Sequence, residues 1–384
     1  MTSGPLAGIR VIDLTAVVMG PYCTQIMADM GADVVKIEPP EGDITRYVAE
    51  GPSPGMNGVF MNVNRGKRSV VLDLRSAEGA AALRALIETA DVFIHSMRAK
   101  AIAKLGFDYD SVAAINPRIV YTNCYGYSRR GPDADRPAYD VAAFWARAGI
   151  THLLTRPGQS PPFQRGGMGD HSAAMTLVAA VCAALVSRAS TGAGQLVTTS
   201  LYRQGAYTTS FDLNTLLATG HSVAIGQRET MGNPCMNNYA TADGRSFWIV
   251  GLQGDRHWPP LCRVVGRTEW LTDARFDSAR ARAANAVELI GALDEIFATR
   301  SLDEWAAVFA GEPDFFWSPI NSMDDVLADE QFHAAGGIVY VPQGDSTTPM
   351  VATPADFHGT PWEPRSGVPA LGQHTDEVLA ELDG

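Results

Sequence analysis

Apolar residues run almost unbroken through Gly8–Thr15 (GIRVIDLT) and again through Ala32–Glu38, as in strands covered on both faces. Between them, GPYCTQIMADMG reads as a helix, with Pro21 suited to its first turn and Gly31 to its end. Pro39-Pro40 halts the second strand. This strand–helix–strand order is the unit of a parallel α/β sheet. It continues with a strand closing Asn62–Leu74, an amphipathic helix over Ala77–Thr89, and strands at Asp91–His95 and Ile119–Tyr125. A polar loop over Gly126–Tyr139 leads to a predicted helix over Asp140–Ile150.

The stretch Gly166–Gly194 is different. A glycine-rich turn with one acid, Asp170, opens a nearly uncharged, alanine-rich run that ends at Ser190-Thr191-Gly192-Ala193-Gly194. Being apolar almost all round, it predicts a buried helix. Asp170 then lies at or just before its N-terminus, where the helix field favours a carboxylate. Asp is also a good N-cap, so capping and chemistry are both open to it. Leu196–Leu201 reads as a strand or helix start, and Tyr202–Gln227 as mostly helical.

From Met231 the texture changes to a hairpin turning at Ala242-Asp243-Gly244, a glycine-bearing loop, and helices over Asn285–Thr299 and Ser301–Phe309. The expectation is a large α/β domain over residues 1–200, a connecting helix over 201–224, and a smaller α+β domain over 225–330. Ile338–Val341 reads as a strand, 345–365 as irregular, and Thr375–Leu382 as a short helix.

Composition narrows the function. The 384 residues carry a formal net charge of -12, which argues against a general nucleic-acid or membrane-surface binder. An anionic ligand would need local cations, and two clusters stand out: Arg65, Lys67 and Arg68 before a strand, and Arg98, Lys100 and Lys104 after one. Ligands of open α/β sheets sit beyond the carboxyl ends of strands, which favours the second cluster. The first turn, GPYCTQ, lacks G-x-G-x-x-G, so neither NAD nor FAD is expected. Five scattered cysteines without a CxxC pair suggest reduced thiols and a cytoplasmic setting. The apolar run 173–186 is too short and too rich in alanine to span a bilayer, and no metal-ligand spacing occurs.

Taken in order, PLAGIRVIDLT (5–15), GPYCTQIMADMGADVVKIEPPEGD (20–43), NRGKRSVVLDL (64–74), the strand and loop at 91–108, DRPAYD (135–140), GD (169–170) and TADGRSFWIVG (241–251) resemble the family III CoA transferases, a group that also holds alpha-methylacyl-CoA racemase. The resemblance covers almost the whole chain. It implies a Rossmann-like large domain that binds CoA and is completed by about 335–384, a smaller α+β domain, and an interlocked homodimer. The substrates would be an acyl-CoA and a carboxylic acid, with coenzyme A a co-substrate and no cofactor held permanently.

The resemblance puts the catalytic aspartate on Asp170. A carboxylate that attacks the thioester gives a mixed anhydride and CoA thiolate; the thiolate returns to give an aspartyl-CoA thioester, and a second acid reverses the sequence. A carboxylate at pH 7 needs no base for this. The resemblance further implies CoA contacts at Lys67, Arg68, Ser96, Met97, Arg98, Lys104 and Leu105. Substrate positioning falls to Val18, Tyr139, Asp140 and the turn Gly251-Leu252-Gln253-Gly254. Val18 replaces a Gln of the formyl-CoA branch, which argues against formyl-CoA and oxalate. Racemases carry a His where Tyr139 stands and a Glu near Gln253-Gly254, so transfer is favoured over racemisation; a racemase-type isomerase and a non-catalytic CoA-binding homologue are the alternatives. His171 reads as a bystander, because neighbours on a helix do not face each other. Phe144 and Trp145 read as core or as walls of an acyl pocket for a bulky acid.

Overall fold

A computed structural model describes residues 4–223 and 225–382. Residues 1–3, 224 and 383–384 therefore lie outside it, including the last position of the predicted connecting helix and both extremes of the large domain. The chain divides into two compact units, one of residues 1–155, 160–223 and 332–384, the other of 156–159 and 224–331.

The first unit is built on six parallel strands: β1 (Arg10–Leu14), β2 (Asp33–Glu38), β3 (Arg68–Val71), β4 (Val92–His95), β5 (Val120–Tyr125) and β6 (Gln195–Ser200). Their order is β3-β2-β1-β4-β5-β6. Register runs Ile12↔Val35 on one side of β1 and Ile12↔Phe93 on the other. Val11, Ile12, Val35, Val92, Phe93 and Val120 are fully sealed from water, as strands covered on both faces require. The order reverses between β1 and β4. At such a switch point the connections leave in opposite directions, so a crevice opens beyond the carboxyl ends of those strands.

One helix layer contains Met19–Asp29 and the long helix Met168–Thr191, which pack on each other; the long helix also packs on β5 and β6. At 24 residues it is long and apolar enough, by length and composition, to cross a bilayer, which the run 173–186 was not expected to be. In this fold Ala173, Leu177 and Val181 are buried in the core, and Arg188 bonds Asp91 at 2.7 Å. The predicted helix over Asp140–Ile150 is instead a π-helix, Val141–Arg147, followed by a short α-helix, Ile150–Leu153. Helices Leu201–Thr208 and Ser210–Thr219 follow β6 and belong to the first unit.

After the second unit the chain returns to the first. It forms a hairpin of β10 (Ile338–Gln343) and β11 (Ser346–Val351), then a helix, Thr375–Ala380. β11 lies where an irregular segment was expected; its Thr-Thr-Pro-Met carries no run of large apolar residues. The helix covers edge strand β3. The Ser69 N–H donates to His374 Nδ1 at 3.1 Å, and the Val71 N–H to Thr375 Oγ1 at 3.0 Å. An edge strand covered in this way offers fewer free groups to another chain.

The second unit has a three-stranded antiparallel sheet, β7 (Met236–Ala240), β8 (Ser246–Val250) and β9 (Trp317–Pro319), numbered in chain order with β10 and β11. Gly244, at φ 78°, makes the predicted turn between β7 and β8. Its own aromatic core includes Tyr239, Phe247, Phe297, Trp305 and Phe309.

Candidate active site

The long helix begins after Gly167, whose φ of 87° is open to glycine but strained for other residues. Asp170 lies in the first turn, past the capping position, so the capping expectation is corrected. The carboxylate at the helix end comes from Asp140, 27 residues upstream. Its Oδ2 accepts the Gly167 N–H at 2.8 Å and the Trp145 Nε1–H at 3.1 Å. Its Oδ1 faces the N–H groups of Gly169 and Asp170, whose dipoles favour the charge, but it closes no hydrogen bond. Burial nevertheless raises the Asp140 pKa above the ordinary carboxylate value.

Gly169 fits because it has no side chain. A Cβ there would stand 2.2 Å from Asp140 Oδ1 and 2.2 Å from Phe144 Cγ. The π-helix places Phe144 and Trp145 in the core, which removes them as walls of an acyl pocket. π-Helical turns are rare and recur at functional sites; this one brings Trp145 back onto the carboxylate that starts it.

Asp170 is 9% exposed. Burial, and then the charge of Asp140, pushes its pKa up to about 7. Near neutral pH it is therefore about half ionised, where an ordinary carboxylate would be wholly so. A desolvated carboxylate of raised basicity is suited to attack.

Asp170 lines a cavity of about 280 Å³ at the β1/β4 switch point. The turn Ala16–Gly20, the loop Ser96–Arg98, the end of β5 at Cys124–Gly126, and Arg136–Tyr139 form most of the rest of its wall, with Ala134 and Leu201. Val17 takes φ 74°, the only non-glycine residue with positive φ among those described. A β-branched residue there stores about 1–3 kcal/mol, which the surroundings must hold in place. The Ala16 N–H donates to Ser96 Oγ at 3.0 Å, tying the two loops together. The Ser96 loop is fixed from beneath by His95, which is fully buried. His95 Nδ1 accepts the Met97 N–H at 3.2 Å, and Nε2 meets the Tyr121 hydroxyl at 2.8 Å. Tyr121 donates to the Phe107 carbonyl at 2.8 Å, which assigns the imidazole proton to Nε2. Burial pushes the His95 pKa down to about 3, so it stays neutral.

The residues singled out by sequence divide sharply. Val18, Ser96, Met97, Arg98, Tyr139 and Asp170 line this cavity, with Tyr139 65% exposed. Asp140 lies directly behind it. Lys104 is exposed at the end of helix Ala99–Lys104, and Leu105 packs partly into the sheet's other core.

Lys67 is a correction. It is fully buried, and its Nζ donates to Asp13, the Pro21 carbonyl and Asn64 at 2.8–3.0 Å, leaving nothing for a phosphate. Burial alone would raise the Asp13 carboxyl; Lys67, Lys36 and the hydroxyls of Thr15 and Thr24 outweigh it and hold its pKa at about 2. Arg68 is likewise engaged, by Asp33, Glu377 and Glu381. Their neighbour Arg65 pairs with Asp29 at 2.8 Å. The basic NRGKRS segment is thus neutralised internally.

Gly251, Gln253 and Gly254 form a strand-to-helix turn in the second unit. A Cβ on Gly251 would stand 2.8 Å from Cys235 and His257 side-chain carbons, so close packing accounts for that glycine. Among the cavity residues that the sequence did not single out are Arg136 and Cys124. Arg136 was within view, in DRPAYD, and is a cation beside the site. No cluster of His, Cys, Asp and Glu suited to a metal occurs among the described residues.

Comparison with known proteins bears on this geometry. The family model described as CoA-transferase family III matches residues 6–375. The chain is 32% identical, over 98% of its length and 95% of the relative's, to (R)-2-hydroxy-4-methylpentanoate CoA-transferase of Clostridioides difficile. It is 34% identical, over 99% and 96%, to succinate–glutarate CoA-transferase of Agrobacterium fabrum. It is also similar to the crystal structure of a CAIB/BAIF family protein from Brucella suis, with a TM-score of 0.89 and 32% identity, covering 99% of this chain and 100% of that one.

Proposed function

The chain belongs to CoA-transferase family III and is an enzyme of the EC 2.8.3 type, and on that premise we propose that it moves CoA from an acyl-CoA to a carboxylic acid through covalent intermediates on Asp170. The observation that carries the reading is a desolvated carboxylate of raised basicity in the first turn of the long helix, lining a cavity at the switch point of the sheet. An Asp170 oxygen attacks the thioester carbonyl carbon; the C–S bond breaks, giving a mixed anhydride and CoA thiolate. The thiolate then attacks the Asp170 acyl carbon, releasing the first acid as carboxylate and leaving an aspartyl-CoA thioester. An incoming carboxylate reverses both steps. No proton needs to be gained or lost overall.

Arg98, Lys104 and Arg136 are assigned to the phosphates of CoA. The first two form no ion pair among the described residues, and Arg136 lies 3.7 Å from Asp133 at a largely exposed position. Lys67 and Arg68 are withdrawn from that role. The engagement of Asp140 beneath the helix supports transfer over racemisation, since a carboxylate accepting two hydrogen bonds there is a poor proton shuttle. A homodimer is part of the proposal. Helix Ser210–Thr219 buries none of its residues within the chain, and its Phe211 and Leu217 are 90% and 82% exposed, which supports a second copy covering them. All five cysteines are free, which supports a reducing, cytoplasmic setting.

The test is mass spectrometry of the protein incubated with a panel of acyl-CoAs and quenched with hydroxylamine or borohydride. A mass change localised to Asp170 is expected. Near-wild-type turnover by Asp170→Ala would sink the mechanism.

A further inference from the structure

A second cavity, of about 760 Å³, adjoins the site. Val18 lines both cavities; Gly167 and His171, which flank Asp170 on the same helical turn, line the second. One wall is helix Gly58–Asn64, through Val59, Met61 and Val63. The opposite wall is β11, through Thr348–Val351. That wall is held from behind. Arg65 Nη1 donates to the Val351 carbonyl at 2.9 Å while its guanidinium pairs with buried Asp29, and Thr353 Oγ1 donates to the same carboxylate at 2.6 Å. That wall of the chamber is therefore held in place, and the volume is that of ordinary ligand sites.

The chemistry of its lining is one-sided. It contains neither lysine nor arginine, and its one acid, Glu50, is exposed. Its imidazole, His171, is packed 4.3 Å from the Tyr22 ring and biased by burial toward the neutral form. A carboxylate at the far end of a substrate would meet no lysine or arginine here, only the neutral polar groups of Asn62 and Thr348. A hydrocarbon tail would instead trade water for Val, Met and Pro side chains.

We propose that this chamber receives the tail of the acid whose carboxyl group exchanges at Asp170, so that the substrate class is an apolar monocarboxylic acid with a branched or aryl tail, not a diacid. This deepens the transferase reading and rests on it. Val59, 40% exposed in the first turn of its helix, becomes a specificity-determining residue.

The test is self-exchange, in which each acyl-CoA is incubated with its own carboxyl-labelled acid and label is followed into the thioester. Each complete turnover breaks two C–S bonds and forms two, so its net result is the replacement of an unlabelled acyl group by a labelled one. Exchange with 4-methylpentanoyl-CoA and 3-phenylpropanoyl-CoA is expected to exceed that with succinyl-CoA and glutaryl-CoA by at least about tenfold in kcat/KM, the discrimination an apolar pocket gives for a methylene or more. Val59→Arg, which adds a cation to the wall, is expected to shift the ratio toward glutaryl-CoA, and Val59→Trp to lower the rate for the aryl acid relative to acetyl-CoA. Diacids exchanging as fast as the apolar acids, or ratios unmoved by both substitutions, would overturn the chamber assignment. An Asp170 adduct formed from acetyl-CoA without exchange of either apolar acid would overturn it too, with the transferase reading intact. Absence of any adduct and any exchange would remove both.

Discussion

Asp140 and Asp170 are coupled through one helix end: Asp140 accepts the Gly167 N–H at 2.8 Å, and its charge adds to burial in pushing the Asp170 pKa up to about 7. Exchange activity is therefore expected to rise with pH through about 7, as Asp170 ionises. Asp140→Asn keeps an acceptor for Gly167 and removes the charge, so its midpoint moves to lower pH. A pH–rate profile of both proteins checks this; an unmoved midpoint would show that the charge of Asp140 does not reach Asp170. Stability carries the same signature. Because the folded value is raised, the contribution of Asp170 is fully present below its unfolded value of 3.8 and is lost as pH rises through about 7. Asp170→Asn should then stabilise the fold by about 3 kcal/mol more at pH 8 than at pH 5, from roughly two pKa units of suppressed ionisation. Denaturant titrations at the two pH values measure the difference.

Gly169→Ala is a second prediction, in which a local rule and the packing disagree. Within a helix, alanine is ordinarily favoured over glycine by about 1 kcal/mol. Here the added methyl group would stand 2.2 Å from both Asp140 Oδ1 and Phe144 Cγ. We expect a net loss of about 1–3 kcal/mol, as in overpacked cores, together with loss of Asp170 labelling. A melting temperature at or above that of the wild type would mean that the Asp140 carboxylate and the Phe144 ring can give way at little cost.

The third prediction separates structure from ligand binding in NRGKRS. Lys67 and Asp13 are both fully buried, with Nζ and Oδ2 3.0 Å apart. Lys67→Met removes the ion-pair partner of the buried, charged Asp13, leaving it the Thr15 and Thr24 hydroxyls and the field of Lys36, and should cost about 3–5 kcal/mol of stability. Lys67→Met with Asp13→Leu should recover part of that loss, since a buried ion pair is often replaceable by apolar groups. CoA affinity of the folded single variant, measured by calorimetry well below its melting point, should stay near that of the wild type. A tenfold weaker affinity would return Lys67 to the CoA site.

Strands β1, β2, β4 and β5 were legible in the sequence because a strand covered on both faces must be apolar at nearly every position. Asp170 stood out because glycines surrounded it and no other charge shared its helix until Arg188. Its cap was not legible: Asp140 is far away in sequence, and only the folded chain brings it beneath Gly167. The same holds for Arg65, Lys67 and Arg68. Their carboxylate partners, Asp29, Asp13, Asp33 and Glu381, come from other parts of the chain, so the segment looked like a free basic cluster. Phe144 and Trp145 read as core or as pocket walls, because composition does not say which way a π-helix turns its rings; the fold puts both in the core. The apolar chamber was invisible for a related reason, since Val59 and Val351 are nearly three hundred positions apart.

The hydrogen bonds that cover β3 bear on how the protein is made. Ser69 Oγ accepts the Gly372 N–H from a residue 303 positions later. At translation rates of about 5–20 residues per second, a nascent chain has β3 outside the ribosome for roughly 15 to 60 seconds before that partner is synthesised. Strands β4, β5 and β6 are added during the first part of that interval; from β6 onward the sheet has all six strands and β3 bare, while residues 225–331 emerge and gather their own aromatic core. The growing chain must therefore keep a half-closed sheet from pairing with its neighbours on the polysome, which makes the last strokes of synthesis, rather than the first, the step that ends its exposure to aggregation.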